Sequence, residues 1–109
     1  MIHVTIYETK DHQYIGFNCI GHAGYSEIGE DIVCAAVSAL TITCVNSIEQ
    51  LVGDSFRLVT NEEEGLMDVL LEEGYHCESL LLLASLVLGL REISESYGRE
   101  FISLECKEV

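Results

Sequence analysis

The sequence has 109 residues, of which 49% are hydrophobic, and only five are Lys or Arg against 19 Asp or Glu. This length suits a single domain with its own core, so residues 1–109 are expected to form one body. The formal net charge of -14 argues against nucleic-acid binding, because phosphates attract Lys and Arg. It favours basic partners, although an acidic surface also simply keeps a protein in solution.

The cysteines are typical of free thiols in a reducing compartment. They form an odd set without CxxC spacing: Cys19, Cys34, Cys44, Cys77 and Cys106. No two Cys or His residues have the paired spacing of a structural zinc site, so neither a metal nor another cofactor is expected.

Neither the N-terminus nor the most apolar run suggests export or membrane insertion. The N-terminus lacks the basic start and long apolar core of a secretory signal. The most apolar run, Leu80 to Leu90, is eleven residues long and shorter than a membrane span requires. We therefore expect a cytoplasmic protein.

The first twenty residues have the alternation of two strands. Ile2, Val4 and Ile6 alternate with polar or aromatic residues, a period of two that indicates one buried face. The run from Tyr14 to Ile20 alternates again after a turn. The two runs are predicted to form an antiparallel hairpin.

Three glycines punctuate the next segment: Gly21, Gly24 and Gly29. Glycine permits positive φ and close backbone approach. The segment is therefore predicted to be a loop that folds over a helix end and orders over a bound substrate.

A long helix is predicted next. Asp31 is a suitable N-cap, and residues 32–52 contain no breaker before Gly53, a suitable stop. With Asp31 as the N-cap, Cys34 is the third helical residue.

The remaining chain predicts a second hairpin, a second helix and a last strand. Residues 55–60 and 66–71 are strand-forming runs separated by an acidic turn. The second helix is predicted from His76 to Tyr97, with Gly98 as its stop, and the last strand from Phe101 to Cys106. The order ββαββαβ predicts an α/β domain in which a mixed sheet of about five strands packs with two long helices.

The second helix is apolar around nearly its whole circumference. Leu or Val occupies positions 80–83, 86–88 and 90, and such a helix requires burial on all sides. Since a sheet covers one side, the other is expected to meet the first helix or a second copy of the chain. A homodimer through this helix is predicted.

Cys34 and His22 are the best candidates for chemistry. The positive end of a helix and a neighbouring imidazolium both stabilise a thiolate, the nucleophilic form of cysteine. His22 could supply that imidazolium and return a proton to a leaving amine, while unpaired amides at the helix start could bind an oxyanion. The alternative is that Cys34 is a buried small apolar group and His22 a loop histidine bonded to backbone.

The segment containing these residues also resembles a known family. GHAG at 21–24, followed by GEDIVCAAVSAL at 29–40, is similar to the signature of the bacterial ribosomal-processing cysteine protease (Prp) family. The resemblance extends over essentially the whole chain in length and element order. It implies a peptidase that removes the N-terminal extension of ribosomal protein bL27, with a His and Cys dyad at His22 and Cys34.

Two further residues near Cys34 have more than one interpretation. Asp31 could cap the helix, orient His22, or do both. Ser38 lies one turn after Cys34 and could donate a hydrogen bond near the site, or simply allow close helix packing.

The acidic residues also have two interpretations. Glu62 to Glu64, with neighbouring acidic side chains, could be a solvated turn or could attract a basic ribosomal protein. Two alternatives to a peptidase are a non-catalytic module that binds a ribosomal protein during assembly and a thiol redox protein. The second is disfavoured because no resolving cysteine lies near Cys34 in sequence.

Overall fold

The computed structural model describes residues 1–21, 28–97 and 100–109, with only the backbone of residues 28–31. Within these ranges the chain forms the predicted ββαββαβ order, with β1 (Ile2–Glu8), β2 (Tyr14–Ile20), α1 (Ile28–Ser47), β3 (Phe56–Asn61), β4 (Leu66–Leu71), α2 (Cys77–Tyr97) and β5 (Ile102–Glu108). The predicted α/β class is confirmed, and both helices match the predicted ones closely at their C-terminal ends. Gly98, the predicted stop of α2, lies outside the described residues.

The strands form one five-stranded mixed sheet in the order β3-β4-β2-β1-β5. Both predicted hairpins are present, β1 with β2 and β3 with β4, each antiparallel. β4 also pairs antiparallel with β2, while β5 lies parallel to β1. β3 and β5 are therefore the two edge strands.

One face of the sheet carries the core. The alternation predicted from sequence places Val4 and Ile6 of β1 opposite Cys19 and Phe17 of β2, and all four are buried. Val69 of β4 lies opposite Phe17 on the same face. These side chains pack with buried residues of both helices in one hydrophobic cluster.

The opposite face has a buried carboxylate that connects four strands. Asp68 of β4 accepts hydrogen bonds from Tyr7 of β1 at 2.5 Å, Asn18 of β2 at 3.1 Å and Arg57 of β3 at 3.1 Å. Burial opposes ionisation of Asp68, but these three donors hold its pKa below the usual range. Burial, and then the hydrogen bond to Asp68, raise the pKa of Tyr7 to about 12.

α1 begins earlier than its capping pattern predicts. The helix starts at Ile28, so Asp31 lies inside it, and the prediction that Asp31 is the N-cap is wrong. Gly29 lies in the first turn of the helix and not in a loop, which corrects a second prediction. Cys34 is consequently the seventh helical residue and not the third.

The other end of α1 confirms the predicted stop. α1 continues as a π-helical segment, Ile48–Val52, before Gly53 takes the left-handed conformation with φ of 82°. The Gly53 amide donates to the Ile48 carbonyl at 2.8 Å and closes that last turn. A side chain at Gly53 would meet no atom within 4 Å, so its backbone conformation is what requires glycine.

The first helix is also the longest apolar stretch. Ile32–Val52 spans 21 residues with mean hydropathy 1.7, long and apolar enough to cross a membrane by length and composition. The sequence-based prediction considered only the shorter run in α2. The core helix of a soluble protein passes the same test, and we interpret the stretch that way because it contributes to the cluster shared with the sheet and α2: Val33, Val37, Cys44, Val45 and Ile48.

α2 meets α1, as one of the two predicted arrangements requires. The contact is close at Gly89, where a Cβ atom would lie 2.8 Å from Cδ1 of Leu40. Leu83, Leu86 and Leu90 face the core. A further face of α2 stays exposed, with Leu81 at 70% and Leu88 at 63%.

Candidate active site

A cavity of about 380 Å³ lies between α1 and one end of the sheet. α1 contributes Cys34, Ser38 and Ile42, among others, to its wall. The sheet contributes residues from the ends of four strands and the β3–β4 turn, including Ile2, Cys19, Thr60, Glu62 and Met67. The predicted nucleophile therefore lies in a cleft with an apolar floor and a polar rim.

Gly21 determines how the chain leaves β2 at the edge of this cavity. Its φ of 113° disfavours any side chain, and a Cβ atom would lie 2.4 Å from the Met1 carbonyl oxygen. Its amide donates to the Glu64 carbonyl at 3.1 Å, which connects the end of β2 to the β3–β4 turn. Gly21 thus has both the positive φ and the close backbone approach that glycine permits, and the chain continues from there to His22.

The five thiols differ in environment. Cys34 is partly exposed, whereas Cys19 and Cys44 are buried and Cys77 and Cys106 are exposed. Burial raises the pKa of Cys19 to about 11, and the nearby Cys34 contributes in the same direction. Burial likewise raises the pKa of Cys44 to about 11. Both buried thiols are therefore protonated and unreactive at neutral pH.

The position of Cys34 in α1 changes the expected source of thiolate stabilisation. Only the first four amides of a helix are unpaired, and the dipole acts over the first turn. Because Cys34 is the seventh residue of α1, those amides lie about 5 Å or more away along the axis. Cys34 is therefore farther from the helix start than the sequence predicts, and the role of the helix-start amides in holding an oxyanion stays a prediction.

Three predicted site residues lie where the structure gives no side-chain geometry. His22 and Gly24 are outside the described residues. Asp31 is inside α1, but its side chain is outside the described part. Their roles remain predictions.

A second His and Cys pair has a structural explanation. Asp54 accepts hydrogen bonds from Ser79 Oγ at 2.6 Å, from the His76 amide at 2.7 Å and from His76 Nδ1 at 2.6 Å. These bonds lower the pKa of Asp54 to about 2 and anchor the start of α2. The neighbouring Cys77 donates to Glu78 at 3.2 Å, which raises its thiol pKa. His76 therefore holds the start of α2 through Asp54, and the hydrogen bonds of His76 and Cys77 go to different carboxylates.

The structure brings two groups to the cavity that sequence reasoning did not place there. Cys19 belongs to the alternating strand pattern of residues 14–20, which predicts no contact with Cys34, yet it lines the same cavity as Cys34. The acidic turn of the β3–β4 hairpin has two interpretations from sequence, a solvated turn or attraction of a basic partner, and neither predicts that Thr60 and Glu62 line the cavity. A possible signal for Cys19 was its position two residues before Gly21, but nothing local identified the hairpin.

Ser38 lies near Cys34, as its spacing in the sequence predicts, while its role stays a prediction. It lines the cavity together with Cys34, one helical turn further along α1. Its carbonyl accepts a hydrogen bond from Thr41 at 3.2 Å. Among the residues that the structure describes, no group of three or more His, Cys, Asp or Glu side chains is placed to hold a metal ion.

Comparison with known proteins gives consistent matches. The family model described as cysteine protease Prp matches residues 1–102. The chain is 31% identical over 101 residues to the ribosomal processing cysteine protease Prp of Bacillus subtilis, covering 89% of this chain and 90% of that protein.

Solved structures agree with the sequence comparison. The fold matches that of an essential ribosomal processing protease Prp from Staphylococcus aureus in complex with a substrate peptide, with a TM-score of 0.89 and 29% identity over 98% of this chain and 100% of that one. The same protease with a covalently linked product peptide gives a TM-score of 0.87 at 30% identity, with the same coverage of both chains.

Proposed function

Because this chain belongs to the cysteine protease Prp family and is a cysteine-type endopeptidase, we propose that it removes the N-terminal extension of ribosomal protein bL27 during ribosome maturation. Cys34 is the nucleophile and His22 the general base and acid. The relatives that support this act in ribosomal processing, and the bL27 substrate follows from the resemblance of residues 21–24 and 29–40 to the family signature.

The observation that carries the proposal is the position of Cys34. Its thiol is partly exposed and lines a cavity of about 380 Å³, whereas Cys19 and Cys44 are buried with raised pKa values. A nucleophile needs access to a peptide carbonyl, and a partly exposed thiol that lines a cavity can provide it. Gly21, at the rim of the same cavity, directly precedes His22 in the chain.

The reaction then follows the acyl-enzyme route. The Cys34 thiolate attacks the carbonyl carbon of the scissile bond, while His22 holds the proton taken from the thiol. As the C–N bond breaks, His22 gives that proton to the leaving amine. A water molecule, deprotonated by His22, hydrolyses the thioester, which releases the carboxylate and restores the thiol.

Asp31 and Ser38 are proposed as supporting residues. With α1 starting at Ile28, Asp31 is not needed as an N-cap, so orientation of His22 becomes its main candidate role. Ser38 lines the cavity on the same side of α1 as Cys34 and can donate a hydrogen bond to the substrate. No cofactor takes part in this mechanism.

The charge of the protein suits a basic substrate. The net charge is -14, and Glu62 lies at the rim of the cavity with Glu63 and Glu64 beside it in the turn. Negative potential at a cleft raises the rate of encounter with a cationic partner. Ribosomal proteins are strongly basic, so the body of bL27 would be attracted to this end of the sheet in the cytoplasm.

A homodimer through α2 is proposed as the assembly. Leu81 and Leu88, seven residues apart on one face, are exposed at 70% and 63%, and a second copy would bury them. Sedimentation should give a dimer for the wild type and a monomer for Leu81→Glu with Leu88→Glu. A monomeric wild type at micromolar concentration would exclude this assembly.

The experiment that tests the catalytic proposal compares wild type, Cys34→Ser and His22→Ala on a peptide spanning the bL27 extension. Cleavage by wild type alone supports the dyad. Cys19→Ser is the matched control, because it removes a thiol from the same cavity and is expected to keep activity.

Two outcomes would contradict the proposal. Tight binding without cleavage by all three proteins would favour a non-catalytic binding module. Undiminished cleavage by Cys34→Ser would show that the nucleophile lies elsewhere.

A further inference from the structure

β3 is an unprotected edge of the sheet. Natural edge strands are usually guarded by charges, proline or a bulge, because their free backbone groups pair with other chains. The single charged residue of β3, Arg57, is held by Asp68 at 3.1 Å on the open face. Leu58 and Val59 are exposed at 46% and 45% on the two faces of the strand.

The register of the β3–β4 pair shows which amides face outward. The Glu72 amide donates to the Ser55 carbonyl at 3.0 Å, and these two residues continue the register that pairs Phe56 with Leu71. In an antiparallel pair, hydrogen-bonded positions alternate with positions whose N–H and C=O groups point the other way. Ser55 bonds toward the β4 side, and so do residues 57, 59 and 61.

The alternate residues of β3 therefore present their backbone to the free edge. Phe56, Leu58 and Thr60 direct both their N–H and C=O groups away from β4. In the part of the chain that the structure describes, no strand lies beyond β3. Three donor and acceptor pairs are thus available in a straight row.

This row leads into the catalytic cavity. Thr60 lines the cavity together with Cys34, and Ile42 of α1, exposed at 48%, lines it from above the sheet. The other edge strand, β5, contributes no residue to this cavity. Of the two free edges, only β3 continues directly to the thiol.

We propose that an extended segment of the peptide substrate pairs with β3 as a sixth strand, which places the scissile bond in the cavity at Cys34. Strand addition takes affinity from main-chain hydrogen bonds, while alternate side chains provide specificity. Here every second peptide side chain faces α1 near Ile42, and the intervening ones face the side of Val59. The inference rests on the proposed peptidase function.

The first test uses wild-type enzyme and a series of bL27-extension peptides, each with one N-methylated residue outside the scissile bond. N-methylation removes one donor. We expect kcat/KM to fall about three- to tenfold at every second position and to change little at the intervening positions. Uniform effects, or no effect at any position, would overturn strand pairing.

The second test locates the pairing on β3. Leu58→Pro removes an outward amide that the β4 ladder does not use, and proline is tolerated at such edge positions. Leu58→Ala is the matched control, since it loses the side chain but keeps the amide. We expect kcat/KM to be about three- to tenfold lower for Leu58→Pro than for Leu58→Ala. When Leu58→Pro is combined with the N-methylated peptides, the two losses in kcat/KM should be non-additive at one peptide position, the one that pairs with Leu58. At the other positions they should add.

A third measurement does not depend on a proline variant folding. Wild-type enzyme is photo-crosslinked to peptides with benzoylphenylalanine at successive positions, and the crosslinked residues are identified by mass spectrometry. Crosslinks to residues 56–61 support the proposal, and crosslinks to β5 or to the outer face of α2 overturn it. Cleavage of the unmodified peptide measures the proposed function separately, so a peptidase that fails these tests stays a peptidase.

Discussion

Cys19 and Cys34 line the same cavity, Cys19 from strand β2 and Cys34 from helix α1. Burial raises the pKa of Cys19 to about 11, with a smaller contribution from Cys34 in the same direction. A negative charge on Cys34 therefore disfavours a charge on Cys19. Cys34 is thus the accessible thiol of the pair, and Cys19 is a buried thiol that stays protonated at neutral pH.

Alkylation should separate these two thiols. At pH 7 to 9 we expect iodoacetamide to modify Cys34 well before Cys19, because Cys34 is partly exposed, whereas Cys19 is buried and its raised pKa keeps it protonated. The rate at Cys19 should rise about tenfold per pH unit across this range without a plateau, since its pKa of about 11 lies above it. Peptide mapping by mass spectrometry measures both rates, with buried Cys44 as the control. A plateau for Cys19 below pH 9 would contradict its placement.

Added salt should lower kcat/KM for basic substrates. We expect kcat/KM for a bL27 peptide extended with its basic residues to fall about tenfold between low salt and 1 M NaCl, because the screening length shortens from tens of ångströms to about 3 Å. A neutral peptide of the same length is the control and should change little. Replacing Glu62, Glu63 and Glu64 together with Gln should reduce the salt effect. A salt-independent kcat/KM would reject electrostatic attraction but not the catalytic dyad.

The sequence predicted the local elements well but contained no pattern from which the strand order of the sheet could be predicted. The β1–β2 hairpin follows from alternation around one turn, and the Gly53 stop follows from one residue's conformational freedom. The start of α1 was misplaced because Asp31 is a good capping residue wherever it occurs, whereas helix formation continues back to Ile28. Local preference gave no way to choose between the two starts.

The residues of the cavity likewise divide into those that local sequence identifies and those that only long-range pairing brings there. Cys34 could be identified from its neighbours in sequence. Thr60 lies in β3 and reaches the cavity because β3 pairs with β4 and β4 pairs with β2. The parallel pairing of β5 with β1, which joins Ile2 to Ile102, brings together residues from the two ends of the chain. Pairing between distant segments depends on the whole sheet, and no short pattern encodes it.

Loss of the Asp68 carboxylate should destabilise the sheet in a pH-dependent way. Asp68→Asn removes the ion pair with Arg57 and weakens the bonds from Tyr7 and Asn18, so the free energy of unfolding at pH 7 should fall by about 1–3 kcal/mol. The folded pKa of Asp68 is below its unfolded value of about 3.9. Its stabilisation is therefore present above about pH 4 and is lost as the pH falls through the folded value.

Urea unfolding at a series of pH values measures this effect. The difference between wild type and Asp68→Asn should be constant from pH 5 to 8 and should shrink below about pH 4. Glu105→Gln is the matched control, since Glu105 is an exposed carboxylate on the same sheet face, and it should change stability by no more than about 0.5 kcal/mol. If the stability difference between wild type and Asp68→Asn grew toward acid pH, the pKa of Asp68 would be raised on folding and not lowered.

Substitution of Gly53 tests how much its left-handed backbone conformation affects stability, without a change in packing. Its φ is 82°, and an added Cβ would meet no atom within 4 Å. Gly53→Ala should therefore lower the free energy of unfolding by about 1–2 kcal/mol, the cost of the left-handed conformation for a residue with a side chain. Gly53→Asn should cost less, because asparagine tolerates this conformation. Gly74→Ala, with φ of 93° and equally open space, should resemble Gly53→Ala. Every variant keeps the hydrogen bond from the amide of residue 53 to the Ile48 carbonyl. A neutral Gly53→Ala would therefore mean that this residue does not end α1 in the left-handed conformation.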